Sequence, residues 1–156
     1  MIERGTAAPD FELSDLTGKS WRLKDSLRQK PVLLAFFKIS CTTCQFAFPY
    51  LQRLVDGAGP NAPQFVAISQ DDAAATRQFQ GKFGLSMPTV MDEPRTWPAS
   101  NAYRISHVPS LFLVEQDGTI SQAFEGFNKA EIEKLGERFG AVPFRAGDQV
   151  PAQRPG

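Results

Sequence analysis

Cysteine and histidine are scarce in this sequence, which has two cysteines and one histidine among its 156 residues. A disulfide framework for a secreted domain needs more cysteines, and a structural zinc site needs four ligands. Charge of one sign is not in excess either, because 17 Lys and Arg residues are matched by 17 Asp and Glu residues. This balance gives no electrostatic reason to expect a nucleic acid or an anionic membrane as a partner.

Long apolar runs are also absent. No run approaches the roughly 20 apolar residues that a membrane-spanning helix needs. The opening residues, MIERGTAAPDF, show no apolar signal segment, because Glu3 and Arg4 stand where one would begin. We therefore expect a protein that does not enter the membrane and is cytoplasmic, or exported if a leader was removed.

The N-terminal half has the pattern of an α/β fold. Apolar and polar residues alternate on both sides of Thr17-Gly18-Lys19, which predicts a β-hairpin. The apolar run Pro31–Ile39 predicts a strand buried on both faces. Apolar residues then recur at spacings of three and four from Cys44 to Val55, which predicts an amphipathic helix, and QFVAIS predicts a second buried strand.

The C-terminal half continues this alternation. Asp71 and Asp72 are predicted N-caps of a helix that Gly84 ends. An Asp117-Gly118 turn joins two further strands, and Asn128 is the predicted N-cap of a last helix. We assign residues 1–140 to one domain and expect residues 141–156, which are rich in Pro and Gly and lack any period, to form a flexible C-terminal tail.

The two cysteines, Cys41 and Cys44, lie where the first buried strand gives way to the amphipathic helix. Ser40 is the predicted N-cap, which places Cys41 in the first helical turn. Unpaired backbone N–H groups and the positive end of the helix dipole favour a thiolate there. Thiols at such positions have pKa values of about 3.5 to 7.5, against about 8.5 for free cysteine. Cys41 is therefore the predicted nucleophile.

Cys44 follows one helical turn later and shares the apolar face of the helix, so it should be shielded from solvent. An exposed thiolate that attacks and a protected thiol that resolves the mixed disulfide would suit dithiol exchange. Zinc binding is a weaker alternative because only His107 remains as a further ligand of the usual kind. Covalent haem requires CxxCH, whereas Gln45 follows Cys44. Two inert buried cysteines are a third alternative.

These features resemble the thioredoxin superfamily, and the opening APDFELSDLTGKSWRL resembles its TlpA/ResA-like branch, which is grouped with the AhpC/TSA proteins. The resemblance implies a thioredoxin-like fold with a central mixed sheet, helices on both faces and an N-terminal hairpin. It also implies a thiol–disulfide oxidoreductase without a bound cofactor, which we expect to be a monomer. Its partners would be a disulfide-containing protein or small molecule and a thiol reductant such as a thioredoxin system.

The same resemblance implies a cis peptide bond between Val108 and Pro109, beside Cys41. Because proline donates no backbone hydrogen bond, the residue before it would be free to bind a substrate chain. The sequence departs from the family pattern at Ala35 and Ala47, where relatives often carry an acidic proton acceptor.

Four other residues are candidates for tuning the site. His107 is the only side chain with an ordinary pKa near neutrality, and Lys38 would favour the thiolate electrostatically. The hydroxyl groups of Thr42 and Thr43 would be able to donate hydrogen bonds to a thiolate.

Two other functions are compatible with the sequence. The first is a peroxiredoxin-like thiol peroxidase in which Cys41 is the peroxidatic cysteine, although the proline and threonine of the pattern Pro-x-x-x-Thr-x-x-Cys are not in register upstream of Cys41. The second is a thioredoxin-fold binding module whose cysteines are not catalytic.

Overall fold

The structure, a computed structural model, describes residues 1–156. In chain order, its elements are β1 (Glu12–Asp15), β2 (Ser20–Arg22), α1 (Leu23–Ser26), β3 (Val32–Phe37), α2 (Thr42–Asp56), β4 (Gln64–Ser69), α3 (Ala73–Phe83), β5 (Thr89–Met91), α4 (Pro98–Ala102), β6 (Ser110–Val114), β7 (Ile120–Glu125), β8 (Phe127–Asn128), α5 (Lys129–Phe139) and β9 (Gln153–Arg154). None of the helices combines the length and apolar character needed to span a membrane.

Seven strands form one mixed sheet in the order β2-β1-β5-β4-β3-β6-β7. The pairs β3–β4 and β4–β5 are parallel, whereas β3–β6, β6–β7, β1–β5 and β1–β2 are antiparallel. The central position of β3 explains its sequence, because all six of its residues are buried and none faces solvent. The predicted α/β class, the mixed sheet and the N-terminal hairpin are therefore confirmed.

Alternate residues of β3 enter two separate cores. Leu33, Ala35 and Phe37 belong to a core of 21 buried residues with α2, α3 and α5. Val32, Leu34 and Phe36 belong to a core of 14 residues on the opposite face with α1 and α4. Helices thus cover both faces of the sheet, as predicted.

The apolar face of α2 fixes the position of that helix. Phe48, Leu51 and Leu54 are fully buried in the larger core. Each such side chain contributes about 1.5–3 kcal/mol when it is removed from water. This packing holds the whole helix in place against the sheet and therefore fixes its N-terminus, where the cysteines lie.

Several helix ends follow the sequence expectations. The Asp72 side chain accepts a hydrogen bond from Ala75 N at 2.8 Å, and the Asn128 side chain accepts one from Glu131 N at 3.1 Å. Gly84 ends α3 in the left-handed region, with φ of 64°. Asp71, the other predicted cap, instead accepts a hydrogen bond from Ile39 N.

Residues 141–156, which we expected to be a flexible tail, make specific contacts with the domain. Arg53 pairs with Asp148 at 2.7 Å, and the Phe144 ring lies 5.3 Å from the Tyr50 ring. Farther along, β9 pairs with β8 in an antiparallel two-stranded sheet. The flexibility of this segment stays a prediction, but its packing shows that it is part of the structure around the cysteines.

Candidate active site

The loop between β3 and α2 is held by hydrogen bonds from both sides. Ile39 N donates to Asp71 Oδ2 at 2.8 Å, and Gln45 Nε2 donates to Ile39 O at 2.9 Å. Cys41 N closes a turn by donating to Lys38 O at 3.1 Å. These contacts fix the backbone that leads into the cysteines.

Cys41 is itself the N-cap of α2, so the prediction that Ser40 caps the helix was wrong. Its backbone is extended, with φ of −80° and ψ of 114°, and its Sγ accepts a hydrogen bond from Cys44 N at 3.1 Å. A side-chain acceptor at the N-cap satisfies one of the free N–H groups at a helix start. Here that acceptor is sulfur, which places the reactive atom directly over the positive end of the helix dipole.

The surroundings of Cys41 favour its thiolate. The pKa of Cys41 is lowered to about 6, chiefly by a hydrogen bond from the Cys44 side chain, although burial acts in the opposite direction. The backbone N–H groups of Cys44 and Thr43 and the positive charge of Arg154 lower this pKa further. This agrees with the range expected of a thiol at a helix start. Cys41 is partly exposed, so an incoming molecule can reach its sulfur.

Cys44 lies in the opposite environment. It is fully buried in the larger core, and both cysteines are reduced. Burial raises the pKa of the Cys44 thiol strongly, and the hydrogen bond to Cys41 acts in the same direction. A shielded, protonated Cys44 beside an ionisable Cys41 is the asymmetry that the sequence predicted.

Val108 lies against Cys41, and its peptide bond to Pro109 is cis, as expected. Cys41 Sγ, as a thiol, donates to Val108 O at 3.2 Å. Pro109 O accepts a hydrogen bond from Gly126 N at 2.7 Å, which ties this loop to the end of β7. The structure therefore brings together the four residues on which the redox prediction depends.

His107 is close to this loop but is directed elsewhere. Its side chain is 58% exposed, and its Nδ1 lies 3.0 Å from Ser106 Oγ and 3.7 Å from Glu125 Oε2. It makes no hydrogen bond to either cysteine, so its tuning role stays a prediction.

Lys38 and the two threonines contribute differently from what we expected. The side chain of Lys38 is exposed. Its backbone, by hydrogen bonding, lowers the pKa of Cys44. The Thr43 hydroxyl donates to Pro155 O at 2.6 Å and is therefore engaged away from Cys41, whereas Thr43 N–H faces the sulfur. Thr42 is exposed and its hydroxyl makes no hydrogen bond.

Sequence reasoning missed Arg154, whose charge acts on Cys41 from 113 positions away in the chain. Its guanidinium lies 5.1 Å from the centre of the Phe46 ring on α2. The aperiodic segment around Arg154 gave no signal of this contact. No group of three or more His, Cys, Asp or Glu side chains is arranged to hold a metal ion.

Comparison with known protein families gives a match over most of the chain. Residues 4–123 match the AhpC/TSA family. The chain is also 33% identical over 132 residues to the thiol-disulfide oxidoreductase ResA of Geobacillus kaustophilus, a match that covers 83% of this chain and 74% of the relative.

Solved structures share the fold. The thioredoxin domain of a thiol-disulfide oxidoreductase from Bacteroides vulgatus superimposes with a TM-score of 0.77 at 21% identity, over 89% of this chain and 99% of the other. The peroxidoxin BcpB of Mycobacterium tuberculosis superimposes with a TM-score of 0.73 at 20% identity, over 90% and 97% of the two chains. The fold is thus thioredoxin-like, and it is shared by a thiol-disulfide oxidoreductase and a peroxidoxin.

Proposed function

We propose that Cys41 and Cys44 are the redox-active pair of this chain, which belongs to the AhpC/TSA family and is a thiol–disulfide oxidoreductase. The observation that supports this assignment is the position of Cys41 Sγ at the N-cap of α2, 3.1 Å from Cys44 N. A helix start stabilises a sulfur anion, and only the anion attacks disulfides.

The first step is attack by the Cys41 thiolate on a sulfur of the substrate disulfide. A bond forms between Cys41 Sγ and that sulfur, the substrate S–S bond breaks, and the second substrate sulfur leaves as a thiolate that takes up a proton. The anion is favoured before the step because the pKa of Cys41 is held at about 6. Val108, whose carbonyl lies 3.2 Å from the sulfur, and Pro109, which is joined to it by a cis peptide bond, would position the substrate.

The second step is resolution by Cys44. Its sulfur attacks Cys41 Sγ, the Cys41–Cys44 disulfide forms, and the remaining substrate sulfur leaves, so that two electrons have passed from the dithiol to the substrate. The negative charge on Cys41 is lost in the mixed disulfide, which removes one of the factors that raise the pKa of Cys44. Ala35 and Ala47 offer no carboxylate, so the Cys44 proton passes to water or to the departing sulfur.

The substrate class is a disulfide-containing molecule, in keeping with the thiol–disulfide oxidoreductase relative. We propose further that a dithiol protein of the thioredoxin type regenerates the reduced pair, and that the chain acts as a monomer in the cytoplasm. Co-purification with a thioredoxin mutant that traps mixed disulfides, together with the mass in solution, would test the donor and the oligomeric state.

Trapping tests the assignment of the two cysteines. Cys44→Ser should accumulate a mixed disulfide on Cys41 when it is incubated with a disulfide-containing protein, and dithiothreitol should release the bound molecule. Cys41→Ser is the matched control and should trap nothing. Equal adducts on both variants would exclude Cys41 as the nucleophile.

A peroxide assay separates this function from the peroxidase alternative. Wild-type protein with dithiothreitol as the donor should reduce insulin faster than it consumes hydrogen peroxide, because the proline and threonine expected of a peroxidatic site are out of register. Faster consumption of peroxide that depends on Cys41 would favour the peroxidase.

A further inference from the structure

Residues 151–156 cross the redox site as an extended segment, which we call the strap. Within it, β9 pairs antiparallel with β8, with Arg154 opposite Phe127 and Gln153 opposite Asn128. Ala152 O also accepts a hydrogen bond from Lys129 N at 3.0 Å. The strap therefore adds a strand to the backbone that follows β7.

The end of the strap lies against both elements that flank Cys41. On the helix side, Pro155 O accepts the hydrogen bond from the Thr43 hydroxyl at 2.6 Å. On the loop side, Gly156 packs so closely on Val108 that a Cβ added to the glycine would lie 2.3 Å from Val108 O. Val108 O is also the atom that Cys41 Sγ contacts, so the strap shares its binding surface with the reactive sulfur.

The strap is held less firmly than the chain that leads to it. Residues 141–150 are anchored by the partly buried Arg53–Asp148 pair and by Phe144 against Tyr50. Most strap residues are exposed, and the strap pairs with β8 over only two residues. Short strands with few hydrogen bonds open locally at low cost. The anchor would remain in place while the strap lifts.

We propose that the strap determines which disulfides the site accepts, by covering the surface on which an extended polypeptide would lie while leaving Cys41 open to small disulfides. This proposal rests on the proposed function. A polypeptide has to pair with backbone next to the attacked sulfur, and the strap already occupies Val108 and β8. A small disulfide needs only access to the sulfur, and Cys41 is partly exposed with the strap in place.

Two variants test the proposal without altering the cysteines. The first ends the chain at Val150 and removes the strap but keeps the anchor. The second, Gly156→Ala, keeps the full chain and places a methyl group against Val108 O. Gly81→Ala is the matched control, because a Cβ at Gly81 meets nothing within 4 Å.

The main measurement is the ratio of kcat/KM for insulin to kcat/KM for glutathione disulfide. Deletion of the strap should raise this ratio by about fivefold or more, because each strap hydrogen bond that no longer has to break contributes a factor of about that size. Gly156→Ala should raise it by a smaller factor, and Gly81→Ala should leave it unchanged. An unchanged or lower ratio in both test variants would overturn the proposal.

A second measurement does not depend on turnover. Cys41 is alkylated with iodoacetamide and, separately, with a maleimide carried on a large polyethylene glycol. Removal of Arg154 changes the thiolate fraction of Cys41, but this change affects both rates equally and cancels in their ratio. When the strap is deleted, the rate with the large maleimide should rise relative to the rate with iodoacetamide. An unchanged ratio of the two alkylation rates would contradict the proposed role of the strap. Failure of the wild type to reduce either disulfide contradicts the proposed function instead.

Discussion

The backbone N–H of Cys44 donates a hydrogen bond to the sulfur of Cys41 at 3.1 Å, so the first cysteine caps the helix that carries the second. The two residues thus influence each other through the helix start as well as through their side chains. Ionisation of Cys41 strengthens this cap because a charged acceptor binds an N–H group more tightly than a neutral one. Oxidation to a Cys41–Cys44 disulfide removes the charge, so the helix start favours the reduced protein.

The pH dependence of Cys41 alkylation should show this effect. The pKa of Cys41 is lowered to about 6, so the iodoacetamide rate should rise through that pH and level off above neutrality. The rate of free cysteine, with a pKa of about 8.5, should still be rising there. A midpoint near that of free cysteine would instead indicate an idle pair, as in a binding module.

Substitution of Cys44 should show how much its side chain contributes. The hydrogen bond from Cys44 is the largest factor that lowers the pKa of Cys41. Cys44→Ala removes that donor and should raise the alkylation midpoint, whereas Cys44→Ser keeps a hydroxyl donor and should raise it less. Midpoints in both variants equal to that of the wild type would show that the backbone N–H groups alone hold the thiolate.

His107 should have little effect on Cys41. Its imidazole contacts Ser106 and Glu125 and makes no hydrogen bond to either cysteine. We therefore expect His107→Ala to leave the alkylation midpoint of Cys41 unchanged. A lower or higher midpoint would establish the tuning role that the sequence suggested.

The hydroxyl of Thr43 should stabilise the folded protein through Pro155. Thr43→Val keeps the shape of the buried side chain but removes its hydrogen bond to Pro155 O, which should lower the free energy of unfolding by about 1 kcal/mol. Thr43→Ser retains the donor and is the control in urea denaturation. If the serine variant loses as much stability as the valine variant, the hydrogen bond is not the cause.

The anchor formed by Arg53 and Asp148 should contribute a pH-dependent part of the stability. The hydrogen bond from Arg53 lowers the pKa of Asp148 below its ordinary value of 3.8. A carboxyl group whose pKa is lower in the folded state stabilises the protein above its unfolded pKa, and that contribution disappears as the pH falls through the folded pKa. Asp148→Asn should therefore be less stable than wild type at pH 7, with a difference that shrinks on acidification below 3.8.

The elements with strong local signals were predictable from the sequence. The buried run that forms β3 is central in the sheet, and Asp72 and Asn128 cap their helices because their side chains are good acceptors for free N–H groups. The spacing of Cys41 and Cys44 at the end of a buried strand was enough to predict that the two residues lie together at the start of α2. These features depend on residues that are close together in the chain.

The parts that were missed depend on distant or unusual contacts. Sulfur is a weaker acceptor than a hydroxyl oxygen, so Ser40 was the natural choice of cap, yet the turn at Lys38 places Cys41 at that position. The pairing of β9 with β8 extends over only two residues, too few for a periodic signal. Arg154 reaches the site through that pairing, and nothing in its local sequence indicates the contact.

The close packing of Gly156 on Val108 also affects how this protein should be prepared for study. An affinity tag or fluorescent protein fused after Gly156 would begin beside the carbonyl that contacts the reactive sulfur. Such a fusion would change access to Cys41 by its bulk alone. Rates measured with and without such a fusion are therefore not interchangeable.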